Sequence, residues 1–240
     1  MALNAADGER VAREAEACGL SLTVISQHRF REDVVRVKKL IGEGAFGTLV
    51  LCDLYMKFWR EPSYYTDSTW RGTWAMDGGG ALMNQGIHGV DLMRYLVGDA
   101  KLLRGRAKAQ LHDIEVEDTA VALLEFECGA LGVIEASTAA YPGFSRRIEI
   151  HGTRGYATIV DSNLEKLCVA GEMLVDRNIE VDAGTASDPT KMSYMGHLLQ
   201  LRNFVAAVRG DAPLAITARD GLEAVRLIES VYRSSQESNT

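Results

Sequence analysis

The sequence predicts an α/β (α+β) fold in which helices accompany an antiparallel or mixed sheet. Three observations predict it. A helix-like stripe followed at once by a β-branched run opens the chain, short strand-like segments spaced near ten residues apart fill its second half, and two amphipathic helices close it. With 240 residues and 47% hydrophobic composition the chain can bury a sizeable core. A formal net charge of -7 argues against nucleic-acid and anionic-membrane partners, because phosphate binding needs clustered Lys and Arg.

Asn4 and Asp7 form a capping pair for a first helix over 5–18, on which Val11, Ala12, Ala15 and Cys18 recur at helical spacing until Gly19. Leu20 to Ser26 is apolar and β-branched on both faces, which predicts a buried parallel-type strand. The stripe returns over 31–44, and 48–59 reads as a long strand. From 61 to 80 the periodicity disappears, and Pro62, Gly78–Gly80 and the aromatics Tyr64, Tyr65, Trp70 and Trp74 mark a long ordered loop, of a kind uncommon without a function. A helix is predicted over 81–97. Strands follow over 102–110, 119–127, 130–139, 145–151, 155–160, 165–169 and 173–181, with turns at Gly129, Gly152 and Gly155. Helices over 194–209 and 218–233 end the chain, the second opened by a Thr217–Asp220 capping pair, and 236–240 reads as frayed.

Cys18, Cys52, Cys128 and Cys168 are scattered, with no metal-ligand spacing, and are expected as reduced, mostly buried thiols; no metal site is expected. No basic segment followed by an apolar stretch opens the sequence and no run of eighteen apolar residues occurs, so a cytoplasmic chain with no membrane partner is expected.

The chemistry concentrates in Asp77 to Val97. Drawn as one helix, Asn84, His88 and Asp91 at i, i+4 and i+7 form a narrow polar stripe on a segment that is otherwise apolar. His88 could accept or donate a proton near neutral pH, with Asn84 one turn earlier to hold its ring or a hydroxyl. The same spacing also fits a structural histidine bonded to a carbonyl, with Asn84 and Asp91 on a solvated face. Gly78–Gly80 before a helix has the shape of a phosphate turn, but no G-x-G-x-x-G follows a strand anywhere in the chain. Trp70 and Arg71, with Trp74, pair a guanidinium with apolar platforms suited to a sugar ring or an anionic substituent, or serve as loop anchors. Tyr194 and His197 are further candidates, with packing and capping as the plainer role.

The run DGGGALMNQGIHGVDLMRYLVG over 77–98, together with GHLLQLRNFVAAVR over 196–209, resembles the glucose–fructose oxidoreductase / inositol dehydrogenase / MocA family of NAD(P)-dependent oxidoreductases. The likeness extends over essentially the whole chain. It implies a large open mixed, mainly antiparallel sheet with helices on one face. Residues 1–26 would be the last helix and strand of a dinucleotide-binding Rossmann domain, and 27–240 a domain for substrate binding and oligomerisation. It further implies hydride transfer from a sugar or polyol to NAD or NADP, with His88 and Asn84 catalytic and Trp70, Arg71, Gln85 and Tyr194 on the substrate. Many relatives carry Asp where Asn84 stands. Such enzymes also carry a Glu-Lys-Pro motif whose lysine assists proton transfer, and Met1-Ala2-Leu3 falls where the residues after that proline would stand. With neither that lysine nor a glycine fingerprint among these residues, the chain is expected to hold no cofactor-binding residue, to bind the dinucleotide weakly and to be inactive alone. A non-catalytic oligomerisation or ligand-binding remnant, or a fragment from a mis-assigned start, is the other reading. A homodimer or tetramer is expected through an open, apolar sheet face carrying Ala120, Ala122, Leu124 and Phe126, with the 20–26 strand pairing elsewhere or disordered.

Overall fold

The structure, a computed structural model, describes residues 2–178 and 194–237. Helix α1 spans Ala5–Ala17, and Asn4 caps it as its sequence predicts: Asn4 Oδ1 accepts from the Asp7 amide at 2.8 Å, while Asn4 Nδ2 donates to Asp7 Oδ2 at 2.8 Å. A single 3-10 turn, Gln27–Phe30, leads into α2 (Glu32–Gly42) and the central strand β1 (Leu49–Lys57). The aromatic loop carries two short helices, α3 (Pro62–Thr66) and α4 (Trp74–Asp77), before α5 (Ile87–Val97). Strands β2 (Ala100–Lys108), β3 (Thr119–Phe126), β4 (Leu131–Ser137), β5 (Arg147–Gly152), β6 (Gly155–Val160), β7 (Asn163–Val169) and β8 (Glu172–Asp176) follow. Helices α6 (Met195–Arg209) and α7 (Ala218–Glu237) complete the described chain. The final stretch expected over 173–181 ends at Asp176 as a strand, and 179–181 lie outside the described residues.

The eight strands form one sheet in the order β2-β3-β4-β1-β5-β6-β7-β8, in which only β1 and β4 run parallel. The expected open, mixed, mainly antiparallel sheet is therefore present. Its inner face carries Cys52, Leu54 and Met56 of β1, Ala120, Ala122, Leu124 and Phe126 of β3, Ile134 of β4 and Ile148 and Ile150 of β5, all buried in one core with Val90, Met93 and Leu96 of α5 and Val225, Ile228 and Val231 of α7. Truncating a side chain as enclosed as Leu54 to alanine would cost about 2–5 kcal/mol.

The face expected to be open is thus the closed one. Alternation correctly separates Ala120, Ala122, Leu124 and Phe126 from their neighbours, but α5 and α7 cover them. The opposite face bears Val121, Leu123 and Leu131, each about half exposed, and is crossed toward β7 by ion pairs such as Arg147 with Glu165 at 2.9 Å. The period-2 pattern marks two faces and cannot say which one helices will cover.

The expected strand over 20–26 is not formed. Residues 20–26 run extended against α6 and α7, where one glutamine side chain replaces a strand neighbour: Gln200 Oε1 accepts from the Ser26 amide at 2.9 Å and its Nε2 donates to the Val24 carbonyl at 2.7 Å. Thr23 Oγ1 adds a bond to the Ile216 carbonyl at 2.7 Å. The segment packs within its own chain without forming a strand there, because backbone groups can be satisfied by side chains as well as by a ladder.

Only Cys52 is buried; Cys18 and Cys128 are exposed and Cys168 lies between. Helix α7 runs on to Glu237, past the start of the expected frayed end, and 238–240 lie outside the described residues. Its capping box is as predicted, with the Thr217 amide donating to Asp220 Oδ2 at 2.8 Å and the Asp220 amide to Thr217 Oγ1 at 3.2 Å. Among the described residues no helix is long and apolar enough to cross a membrane.

Candidate active site

The glycine-rich turn before α5 serves a carboxylate of the protein itself. Glu117, buried at the start of the β3 approach, accepts from the Gly80 amide at 2.9 Å, the Leu82 amide at 2.8 Å and the Tyr232 hydroxyl at 2.9 Å. A Cβ on Gly80 would lie 1.9 Å from the Glu117 carbonyl oxygen, and Gly79, at φ 152°, would place one 2.2 Å from the Tyr232 hydroxyl. The amides a phosphate would need are therefore occupied, which removes the phosphate-turn reading. Burial raises the Glu117 carboxyl above its ordinary range, against the pull of these donors.

Residues 81–86 form turns, and α5 begins only at Ile87. Asn84 is therefore not one helical turn below His88, and the expected Asn84–His88–Asp91 stripe does not exist. Asn84 Nδ2 bonds Asp77 Oδ1, and its own Oδ1 accepts from Gln85 Nε2 at 2.8 Å. Gln85 also donates to the Tyr64 hydroxyl at 2.9 Å and accepts from Arg60 at 2.7 Å. Arg71 stacks 4.2 Å from the Tyr64 ring centroid and 5.3 Å from that of Trp70, while donating to the Tyr64 carbonyl at 3.1 Å. Tyr64 thus gathers Asn84, Gln85, Trp70 and Arg71 into one polar, aromatic wall, and Arg71 Nε within it is buried without a partner. Trp74 stands apart from it as a loop anchor, edge-on to Tyr232 at 5.2 Å. Tyr194 also stands apart: its ring is 72% exposed at the start of α6 and bonds neither this wall nor His88 among the described residues.

His88 belongs to a second cluster. Asp91, expected on a solvated face, is buried and takes both Arg29 Nε at 3.0 Å and Arg29 Nη2 at 2.6 Å, while Arg29 Nη1 reaches Asp220 at 3.1 Å. This fork ties the 3-10 turn to α5 and α7 and brings His28 against His88, ring centroids 5.7 Å apart and nearly perpendicular. His28 Nδ1 and Ser162 Oγ share a hydrogen bond at 2.8 Å, and Arg146 donates to the same Ser162 oxygen at 2.9 Å. Burial first, then the charge of Arg146, pushes the His88 imidazole down to about 4, with Asp91 opposing; burial and Arg146 push His28 down to about 2. Both rings are neutral at pH 7. A cavity of about 410 Å³ opens beside them, lined by Thr23, Ser26, His88, Asp91, Gly221 and Ala224. His28, Arg29, Arg146, Ser162 and Glu117 went unnoticed in the sequence; the signal available was three adjacent polar residues, Gln27-His28-Arg29, closing an apolar run.

These residues suit proton transfer to or from a small polar ligand, and the described residues hold no cluster able to bind a metal ion. For a dinucleotide the fit is partial. A cavity lies beside His88, but the glycine-rich turn at 78–80 is filled by Glu117 and offers a pyrophosphate neither the Gly80 nor the Leu82 amide.

Comparison with known proteins agrees with the fold. Over its full length the chain is 25% identical to myo-inositol 2-dehydrogenase of Thermotoga maritima and 26% identical to scyllo-inositol 2-dehydrogenase (NADP+) of Bacillus subtilis, spanning 70% and 69% of those proteins. The WlbA dehydrogenase of Bordetella pertussis, solved with NADH and UDP-GlcNAcA, superposes with a TM-score of 0.84 at 29% identity over 99% of this chain and 68% of its own. Residues 38–240 match the model of the oxidoreductase family's C-terminal alpha/beta domain, and the chain therefore belongs to the glucose–fructose oxidoreductase / inositol dehydrogenase / MocA family of NAD(P)-dependent sugar and polyol dehydrogenases.

Proposed function

We propose that these residues supply the substrate-holding and proton-accepting part of a dehydrogenase acting on a sugar or polyol carbinol. The observation that carries this reading is the position of His88, a buried imidazole at the start of α5 that lines a partly open cavity. His88 takes the hydroxyl proton as the carbinol is oxidised. Asn84, Gln85, Trp70 and Arg71 form the wall that orients the remaining hydroxyls, with Asn84 acting through Asp77 and Gln85 instead of through His88. Tyr194 borders the site only if α6 closes toward it. NAD or NADP supplies the hydride acceptor when bound, and its pyrophosphate is held by a dinucleotide-binding fold outside these residues, so residues 1–240 alone bind it weakly and turn over no substrate. Residues 1–26 contribute to the cofactor side of the cavity.

The test joins this chain to a dinucleotide-binding domain of the family and measures turnover on a panel of polyols and sugars. Substituting His88→Ala there should lower kcat by roughly 10²–10⁴ with little change in folding stability. Calorimetry on residues 1–240 alone should give NAD(H) and NADP(H) dissociation constants no tighter than about millimolar. A loss below about threefold in the first measurement, or micromolar affinity in the second, would return His88 to a structural role or place a cofactor site within these residues.

The outer sheet face supports a second proposal, a homodimer or tetramer in which Val121, Leu123 and Leu131 meet their counterparts on another copy. Leu123→Glu should convert the assembly to monomers in light scattering at low micromolar concentration; a wild-type monomer under those conditions would overturn it.

A further inference from the structure

Three arginines lie deep in the structure: Arg29 at 7% exposure, Arg94 at 8% and Arg146 at 8%. Burying a guanidinium is costly unless charge and donors are matched. Arg29 holds Asp91 and Asp220, and Arg94 holds Asp99. Arg146 has no carboxylate within ion-pair distance among the described residues, and its guanidinium makes one side-chain hydrogen bond, to Ser162. The carboxylates that act on it from further away, Asp161 and Asp91, are engaged elsewhere, Asp161 with the Arg146 main-chain amide at 3.0 Å and Asp91 with Arg29. A guanidinium carries five N–H donors, so most of this one's capacity is unused.

Its position is beside the proposed base. The Arg146 stem packs on Gly89, next in sequence to His88, where an added Cβ would stand 3.0 Å from Arg146 Cδ. Its head shares Ser162 with His28, which lies against His88. We propose that Arg146 is the recognition residue for an anionic substituent of the substrate, a carboxylate on the sugar whose carbinol meets His88. The planar fork of a guanidinium matches a carboxylate in two parallel hydrogen bonds, and the partly enclosed setting strengthens them. This deepens the dehydrogenase reading and rests on it for the placement of the carbinol.

The arrangement also couples binding to basicity. Among the described residues, the groups that act on His88 are Arg146 before β5, Asp91 on α5 and His197 on α6, with His28 against its ring; Arg31 acts on His28 and Asp161 on Arg146. Of these, Arg146 contributes the leading charge that keeps a proton off His88. A carboxylate bound to Arg146 neutralises that charge and makes His88 a stronger base only when such a substrate is present.

The test follows imidazole C2–H resonances of residues 1–240 by NMR during titration with glucuronate, glucose and glucose 6-phosphate, using wild type, Arg146→Met and Arg146→Lys. Glucuronate should bind at least about tenfold more tightly than glucose, shift the His88 and His28 signals and raise the His88 titration midpoint. Arg146→Met should remove that preference and raise the His88 midpoint without ligand, whereas Arg146→Lys should keep the midpoint low but lose most of the preference. Equal binding of glucuronate and glucose at His88, insensitive to Arg146→Met, would overturn the anion subsite and leave the sugar reading standing. Glucuronate binding that depends on Arg146 while no sugar disturbs His88 would keep Arg146 as an anion site and break the reading of His88. A tenfold preference for glucose 6-phosphate over glucuronate would overturn the carboxylate in favour of a phosphate ester, and binding of none of the three at millimolar concentration would overturn both proposals.

Discussion

Two polar clusters flank the start of α5, and they differ in how completely they are satisfied. Around Glu117, two amides and a tyrosine hydroxyl converge on one carboxylate, and the glycines leave no room for anything else. Around His88, one arginine has spare donors, two imidazoles are held neutral, and a cavity opens beside them. The difference teaches that a buried polar group whose partners are all internal holds the fold, whereas one with unused capacity still has donors to offer a ligand.

Breaking the first cluster should produce the larger loss of stability. Glu117→Ala would leave the Gly80 and Leu82 amides and the Tyr232 hydroxyl unpaired in the interior, for about 3 kcal/mol or more of unfolding free energy in denaturant titration. A loss under about 1 kcal/mol would mean that water replaces the carboxylate, and the contrast between the clusters would fail.

Acid should expose the second cluster next. His88 and His28 bind a proton more weakly folded than unfolded, so between pH 6.5, their ordinary value, and about 4 the unfolded chain binds more protons and stability falls as pH falls. For His88 the loss is on the order of 2 kcal/mol at pH 5 relative to pH 7. The denaturation midpoint of His88→Asn should therefore depend less on pH across this window than that of wild type. Identical pH dependence in the two proteins would show that His88 titrates freely.

The smallest effect sharpens the status of the aromatic wall, which shares one feature with each cluster: Gln85 is fully bonded, yet Arg71 Nε has no partner. Trp70→Ala in the dehydrogenase assay should raise KM about tenfold with kcat and stability nearly unchanged. A change confined to thermal stability would class the ring with Trp74 as a loop anchor.

Where interactions are local, the sequence was an accurate guide. The Asn4–Asp7 and Thr217–Asp220 caps, the alternation along β3, and the glycine turns between strands depend on residues a few positions apart, whose geometry the chain itself dictates. Membership of the family was legible in the run from Asp77 to Gly98. Tertiary structure decided what depends on distant partners. It decided which sheet face α5 and α7 close, because alternation is symmetric between faces. It turned residues 20–26 into an extended segment held by Gln200, because strand character is completed only by a neighbour. It started α5 at Ile87, separating Asn84 from His88, and used Arg29, Ser162 and Arg146 from remote stretches of chain to set the environment of His88. Burial and charge at that imidazole are sums over neighbours in space, and no spacing along the chain encodes them.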